Sequence, residues 1–280
     1  MCNFVTCENW KDAGTALYEG IMESLKGEDK DLFHKMIGVC ESVIMRSATQ
    51  PSEELAKQDP LGVWVQNYWY LPINAENFKG ELPAIQDVEL MHNFGNFLTQ
   101  KMYTNNTSNA VSAYNGYLMG IDILAQAAND ETIAQLLDKV YVEINETLIK
   151  ELQLDRTQQE EFAKKARAKY CDYTIVDRVI RHGKDPLRKL GPQDRLIAPA
   201  RMALSHGIYP EIIIDTIAKA LFFDEESDEA AMKLKQMRQE KGISYVLKTV
   251  CELQEEEPLY QEVMQAVQKL IERGMVKDHA

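Results

Sequence analysis

No apolar run in this chain approaches the roughly 20 residues that a membrane-spanning helix needs. The amino-terminal stretch MCNFVTCENWKD lacks the basic region and the apolar core of a secretion signal. Cysteine is scarce: Cys2, Cys7, Cys40, Cys171 and Cys251 are scattered and odd in number, and only Cys2 and Cys7 are closely spaced. Free thiols in a reducing cytoplasm are expected, with no metal site and no disulfide framework. The histidines at 34, 92, 182, 206 and 279 show no metal-ligand spacing. Positive charge is also short, with 31 Lys and Arg against 44 Asp and Glu and a net charge of −13. A broadly acidic chain repels nucleic acid and anionic lipid unless it carries a local basic patch. The sequence contains no G-x-S-x-G, no P-loop, no C-x-x-C and no G-x-G-x-x-G.

What remains is a folded composition, 45% hydrophobic and 27% charged over 280 residues, enough for one large core or two modest ones. Residues 4–7 suggest a strand. Helical spacing of Ala13, Leu17, Ile21 and Leu25 suggests a helix from Trp10 to Leu25, with another turn or two over residues 31–37. Residues 39–49 and 61–73 are rich in β-branched and aromatic side chains and are expected as antiparallel strands. Gly80 and Pro83 mark a loop, and a domain boundary is expected after residue 87. Residues 88–280 are expected to be helical, over 92–101, 106–128, 132–152, 157–169, 172–181, 193–206, 210–223, 228–239, 243–251 and 258–273. The fold class is therefore mainly α, a multi-helical domain at 88–280 behind a small α/β piece at 1–87 with antiparallel strands.

Two segments stand out chemically. Tyr103 to Asn109 is a run of poor helix formers between helical flanks, where a break is expected, with Lys101 just before it. Asn106 and Asn109, three apart, would share one face of the helix they open. The segment is either a polar cap or a lysine with amide partners lining a site. Residues 178–195 form the one dense basic stretch. Asp185-Pro186 starts a helix and Gly191-Pro192 stops one, so short helices meet at a corner carrying Arg and Lys. Such a corner suits an oxyanion, or is a surface corner paired with local carboxylates. Cys7-Glu8-Asn9 follows the first strand, where a polar residue either lines a cleft or caps the next helix.

Three stretches resemble the mannitol dehydrogenase family of polyol dehydrogenases. Asn3-Phe4-Val5-Thr6-Cys7-Glu8-Asn9 is similar to the strand and Cys-Glu-Asn that end the family's nucleotide-binding domain. The segment from Lys101 is similar to the family's K-x-x-x-x-N-x-x-H motif. Most specific is Gly183-Lys184-Asp185-Pro186-Leu187-Arg188-Lys189-Leu190 with Asp194-Arg195-Leu196-Ile197. The resemblance implies a helical dehydrogenase domain like that of 6-phosphogluconate dehydrogenase. It implies hydride transfer between NAD and a sugar alcohol phosphate or related polyol. Lys101 falls on the acid/base lysine, which burial can tune toward neutral pH. Asn106 falls on the amide that polarises the reacting oxygen. Asn9 falls on the asparagine that positions lysine or substrate. Arg181 and Lys189 match substrate-contacting positions, with Arg188 and Arg195 as further phosphate partners.

Two departures stand out. Asn109 replaces the motif histidine and cannot carry a proton at neutral pH. The family's dinucleotide fold would precede Asn3, so the cofactor-binding residues are not identified, and the chain alone is expected to bind no NAD. A separate nucleotide-binding domain is the protein partner this arrangement calls for. Two readings stay open: the substrate-binding and catalytic part of an enzyme, or a truncated, non-catalytic relative that binds a sugar phosphate or a protein partner.

Overall fold

A computed structural model describes residues 1–8, 12–49, 51–67, 70–174 and 176–276. The chain is mostly helical and forms two compact units, Met1–Thr99 and Gln100–Ala280.

The first unit is built on a mixed sheet. β1 (Cys2–Cys7) is followed by α1 (Ala13–Ser24) and α2 (Glu28–Met36), and the chain returns in β2 (Ile37–Ser42) parallel to β1. A parallel pair needs such a crossover, and this parallel partner of residues 37–42 comes in addition to the expected antiparallel one. The remainder of the β-rich stretch divides. β3 (Ala48–Thr49) and β4 (Trp64–Val65) form an antiparallel ribbon around α3 (Glu53–Gln58). This short helix was not expected, yet Ser52 caps it by accepting the Leu55 N–H at 3.3 Å, with Glu53 and Glu54 in its first turn. β5 (Leu71–Asn74) pairs antiparallel with β2 and parallel with β6 (Val88–Met91), giving the order β1-β2-β5-β6. Residues 88–91, expected as the start of the helical region, are thus a sheet strand. Val39, Cys40, Val43 and Ile73 are buried in this unit.

The second unit is built of helices. α4 (Phe94–Lys101), which starts before it, runs through a π-helical turn, Met102–Asn106, into α5 (Thr107–Leu118). α6 (Leu124–Asn129), α7 (Glu131–Leu152), α8 (Arg156–Tyr170), α9 (Val179–Gly183), α10 (Pro186–Lys189), α11 (Ile197–Ser205), α12 (Glu211–Ala220), α13 (Glu229–Thr249) and α14 (Pro258–Glu272) follow. α5 is buried from Thr107 to Gly116, so it is the central rod rather than a surface helix. It stops well before the expected residue 128. Gly120 takes φ 71°, and the N–H groups of Gly120 and Ile121 return to the carbonyls of Tyr117 and Gly116, closing the helix. On α7 the buried stripe is Ile133, Leu137, Val140, Ile144 and Leu148, which matches the four-residue spacing except that Leu136 yields to Leu137. Residues 172–174 and 176–178 do not extend α9 as expected. The side chain of Asp172 holds Thr174 in a turn, and Arg178 forms a bridge with Ile123.

Candidate functional site

The expected break after Lys101 is not a break. The poor α-formers from Tyr103 onward stay helical but widen into the five-residue π-turn. Such a turn disturbs the usual carbonyl pairing, and side chains answer it here. Ser108 Oγ donates to the carbonyls of Thr104 (2.8 Å) and Asn105 (3.0 Å), and Tyr170 Oη donates to Asn105 O at 2.9 Å. Tyr141 Oη donates to Ser108 Oγ at 3.0 Å, and Gln159 Nε2 to Thr104 Oγ1 at 3.1 Å. The polar run is therefore buried and hydrogen-bonded.

This scaffold carries Lys101, which is only 6% exposed. Burial pushes its ammonium down to about 7, helped by the positive charges of Lys169 and Arg195. Burial likewise lowers Lys169 to about 8. Asn106 closes the π-turn, buried, with its amide nitrogen 3.4 Å from Met102 Sδ. Asn109 is buried on α5. Asn9 lies outside the described residues.

The basic segment folds as α9, α10 and their connections, and its cations separate into two kinds. Arg188 and Arg181 match the surface-corner expectation. Arg188 pairs with Asp185 (2.9 Å) and Asp194 (3.1 Å), while the half-exposed Arg181 forks onto Asp177. Lys189 and Arg195 are buried. Lys189 donates to the carbonyls of His182 (2.7 Å) and Lys184. Burial first, and then the charges of Arg195 and Arg188, lower its ammonium to about 7 against the opposing pull of Asp185 and Asp194. Arg195 Nε donates to Asp194 Oδ1 at 2.7 Å, and its carbonyl accepts from Thr107 Oγ1 at 2.7 Å, tying this segment to the start of α5. The field of Arg195 bears on both Lys101 and Lys189.

Local structure explains the segment's composition. A Cβ on Gly183 would lie 2.3 Å from the Phe223 ring, so only glycine lets α9 settle there, where its carbonyl accepts from Tyr114 Oη at 3.1 Å. Asp185 adopts φ 57° and caps α10 by accepting the Arg188 N–H, with Pro186 at the first helical position.

Three residues at this site escaped sequence reasoning: Lys169, Asp177 and His182. His182 Nδ1 lies 2.9 Å from Asn109 Nδ2, and its Nε2 lies 2.6 Å from Asp177 Oδ2. Burial opposes charge on Asp177, but hydrogen bonds from Arg181 and His182 outweigh it and hold the carboxyl well below the usual range. Burial lowers the His182 imidazole. The only sequence signal was a histidine inside the basic segment with an aspartate five residues earlier.

Residues 93–271 match the family model of the mannitol dehydrogenase C-terminal domain. Over 258 residues the chain is 31% identical to mannitol-1-phosphate 5-dehydrogenase of Bacillus subtilis, covering 92% of this chain and 67% of that protein. It is 28% identical to the enzyme of the same name from Geobacillus stearothermophilus, covering 92% of this chain and 66% of the relative. Two solved structures share its fold. A substrate-free D-sorbitol dehydrogenase superposes with a TM-score of 0.80 at 16% identity, over 98% of this chain and 61% of its own. Pseudomonas fluorescens mannitol 2-dehydrogenase, in a ternary complex with NAD and D-mannitol, gives 0.76 at 15% identity, over 98% and 60%. The chain thus spans about two thirds of the curated relatives and about 60% of the solved ones.

The start of α1 does not fit a pyrophosphate. A pyrophosphate needs free N–H groups at a Gly-rich helix start. At the start of α1 the Gly14 N–H donates to Glu41 Oε1 at 3.3 Å, and the Glu41 side chain fills the space where a Cβ of Gly14 would lie. A carboxylate already sits where a phosphate would have to approach.

Proposed function

Because this chain belongs to the mannitol dehydrogenase family, whose C-terminal domain it carries at residues 93–271, we propose that it is the substrate-binding and acid/base part of a polyol-phosphate dehydrogenase. One observation carries this reading: Lys101, Lys189 and Arg195 are buried cations in one electrostatic neighbourhood. Asp194 already pairs with Arg195 there, and desolvated cations grouped in this way favour binding of a further anion. A phosphate ester offers that anion, and the curated relatives are named for mannitol 1-phosphate.

The roles divide by chemistry. Lys101, with an amine poised near neutrality, removes the proton of the reacting hydroxyl and returns it in the reverse direction. Asn106 donates its amide hydrogens to the reacting oxygen. Lys189 and Arg195 hold the phosphate, with Arg181 at the exposed margin and Arg188 braced by its two aspartates. The proposed substrate domain extends over residues 88–280.

Calorimetric titration of the 280-residue chain with mannitol 1-phosphate, mannitol and inorganic phosphate tests this. Charge-assisted hydrogen bonds to the phosphate should make the ester bind about 10–100-fold more tightly than the free hexitol. Equal affinities, or no binding of the ester, would overturn the reading.

A further inference from the structure

Arg181, Asp177, His182 and Asn109 form a continuous hydrogen-bonded chain that ends on the helix following Lys101. Arg181 forks onto the Asp177 carboxylate, Asp177 Oδ2 lies 2.6 Å from His182 Nε2, and His182 Nδ1 meets the Asn109 amide. The last three are sequestered, with side-chain exposures of 7% for Asp177 and 15% for His182 and a residue exposure of 6% for Asn109. Burying this many polar groups costs stability, and the fold satisfies each of them.

The geometry fixes the tautomer. Asp177 is an ionised acceptor, so the imidazole gives it the Nε2 proton. In neutral His182, Nδ1 is then an acceptor, and Asn109 Nδ2 donates to it at 2.9 Å. Asn109 keeps a second amide hydrogen and carbonyl lone pairs for another partner. Protonation of His182 reverses this. Nδ1 becomes a donor, and its favourable contact becomes Asn109 Oδ1, now at 3.2 Å, so the amide must turn. The orientation of Asn109 is thereby coupled to the charge on His182.

We propose that His182 is a positioning residue of the substrate site, supplying from α9, beside Asn109, the imidazole that the family motif carries on the helix of the catalytic lysine. This rests on the functional reading above. It accounts for the joint occurrence of an amide at position 109 and a buried histidine against it from 73 residues away. His182 acts through Asn109: neutral, it holds the amide in one orientation toward a substrate hydroxyl, and the ionised Asp177 holds the imidazole. The charged groups bearing on His182 are Asp177 and Arg181 from its own segment and Lys189 from α10. α5 presents the uncharged Asn109, and α6, also packed on α9, contributes no titratable side chain.

The test is calorimetric binding of mannitol 1-phosphate to the 280-residue chain between pH 5.5 and 7.5, beside a thermal melt of each variant. At pH 7.5, loss of one oriented hydrogen bond should make His182→Ala bind about tenfold more weakly. Adding Asn109→His to that variant, which returns an imidazole to the motif position, should recover most of the loss. His182→Gln, which can bridge Asp177 and Asn109 without titrating, should recover affinity too. Its affinity should also fall less, or rise more, than the wild type's toward pH 5.5, because titration of the phosphate and of the lysines is common to both. Unchanged affinity in a folded His182→Ala, no recovery in the double variant, or superimposable pH profiles for wild type and His182→Gln would each overturn the proposal. If His182→Ala does not fold, the comparison with His182→Gln decides. A wild-type chain that binds no mannitol 1-phosphate would defeat the functional reading and this proposal with it, whereas tight wild-type binding with an indifferent His182 defeats this proposal alone.

Discussion

Arg238 and Lys219 are buried cations that the helical unit neutralises from within. Arg238, only 2% exposed, places its two terminal nitrogens on Asp224 at 2.9 and 3.1 Å, donates to the Leu221 carbonyl and lies 4.5 Å from the Phe222 ring. Lys219 reaches Asp215 and Asn115, both at 2.6 Å. Lys189, as deeply buried, is met by two main-chain carbonyls, and Lys101 lies under the fields of Lys169 and Arg195. The first pair completes the packing of helices. The second pair is desolvated beside other cations, and its amines are driven to about 7. The difference separates charge used for architecture from charge held ready for an anionic ligand and for proton transfer.

The largest effect expected from this contrast is on turnover. In a fusion that supplies a nucleotide-binding domain, Lys101→Ala should lower kcat/KM by ~10²–10⁴-fold, the usual contribution of a positioned base. No His, Asp or Glu lies between residues 101 and 109 to replace it, and Asn106 and Asn109 cannot take a proton. A folded mutant that retains more than roughly a tenth of wild-type activity would place the base elsewhere.

The architectural cation should fail differently. Arg238→Met strands Asp224 and removes the donor to Leu221 O, and should cost about 3 kcal/mol, the low end for breaking a buried pair because Asp224 keeps some solvent. Lys101→Met should change stability by less than about 1 kcal/mol or raise it, since it removes a desolvated charge. Denaturant titration of both variants checks this. Equal losses would erase the distinction between the two groups of cations.

The parts of this arrangement that sequence could reach were those with local causes. The period of α7 and α14, the Asp185-Pro186 helix start and the dense basic segment are written in neighbouring residues. The weak helix propensity of Tyr103 to Asn109 correctly marked an irregularity. It could not say that the chain would remain helical, because the hydroxyls and amide that rescue the π-turn come partly from Tyr141, Gln159 and Tyr170, remote in sequence. The same remoteness hid His182 from Asn109 and Phe223 from Gly183. The arginines and lysines of residues 181–195 could be listed from sequence. Which were paired at the surface and which were buried depended on where Asp177, Asp185 and Asp194 fell in three dimensions.

The smallest of these effects, and the one closest to the physical origin of the comparison, is the pH dependence of stability. Lys101 and Lys189 each lose a proton near pH 7 in the folded chain, but only near 10.5 when unfolded. Between these values the unfolded chain binds more protons, so stability must rise with pH through this window. From pH 7 to 9 the gain is at most about 2–3 kcal/mol per lysine, from roughly 1.4 kcal/mol per pH unit. Lys169, lowered by burial to about 8, adds to the same rise. Glu143, raised by burial to about 7, withdraws its stabilisation as pH rises toward 7, and the lowered imidazole of His182 acts below its ordinary value. The thiols of Cys40 and Cys251, raised by burial to about 11 and about 12, oppose further gain only above about 9, where they ionise in the unfolded chain. Denaturant unfolding at pH 7, 8 and 9 should therefore show increasing stability, and Lys101→Met should reduce the slope. Saturating mannitol 1-phosphate should flatten it as well, because a bound dianion favours the protonated amines and moves their titration upward. Stability that is level or falls from pH 7 to 9 in the unliganded chain would mean that these lysines stay charged in the folded chain.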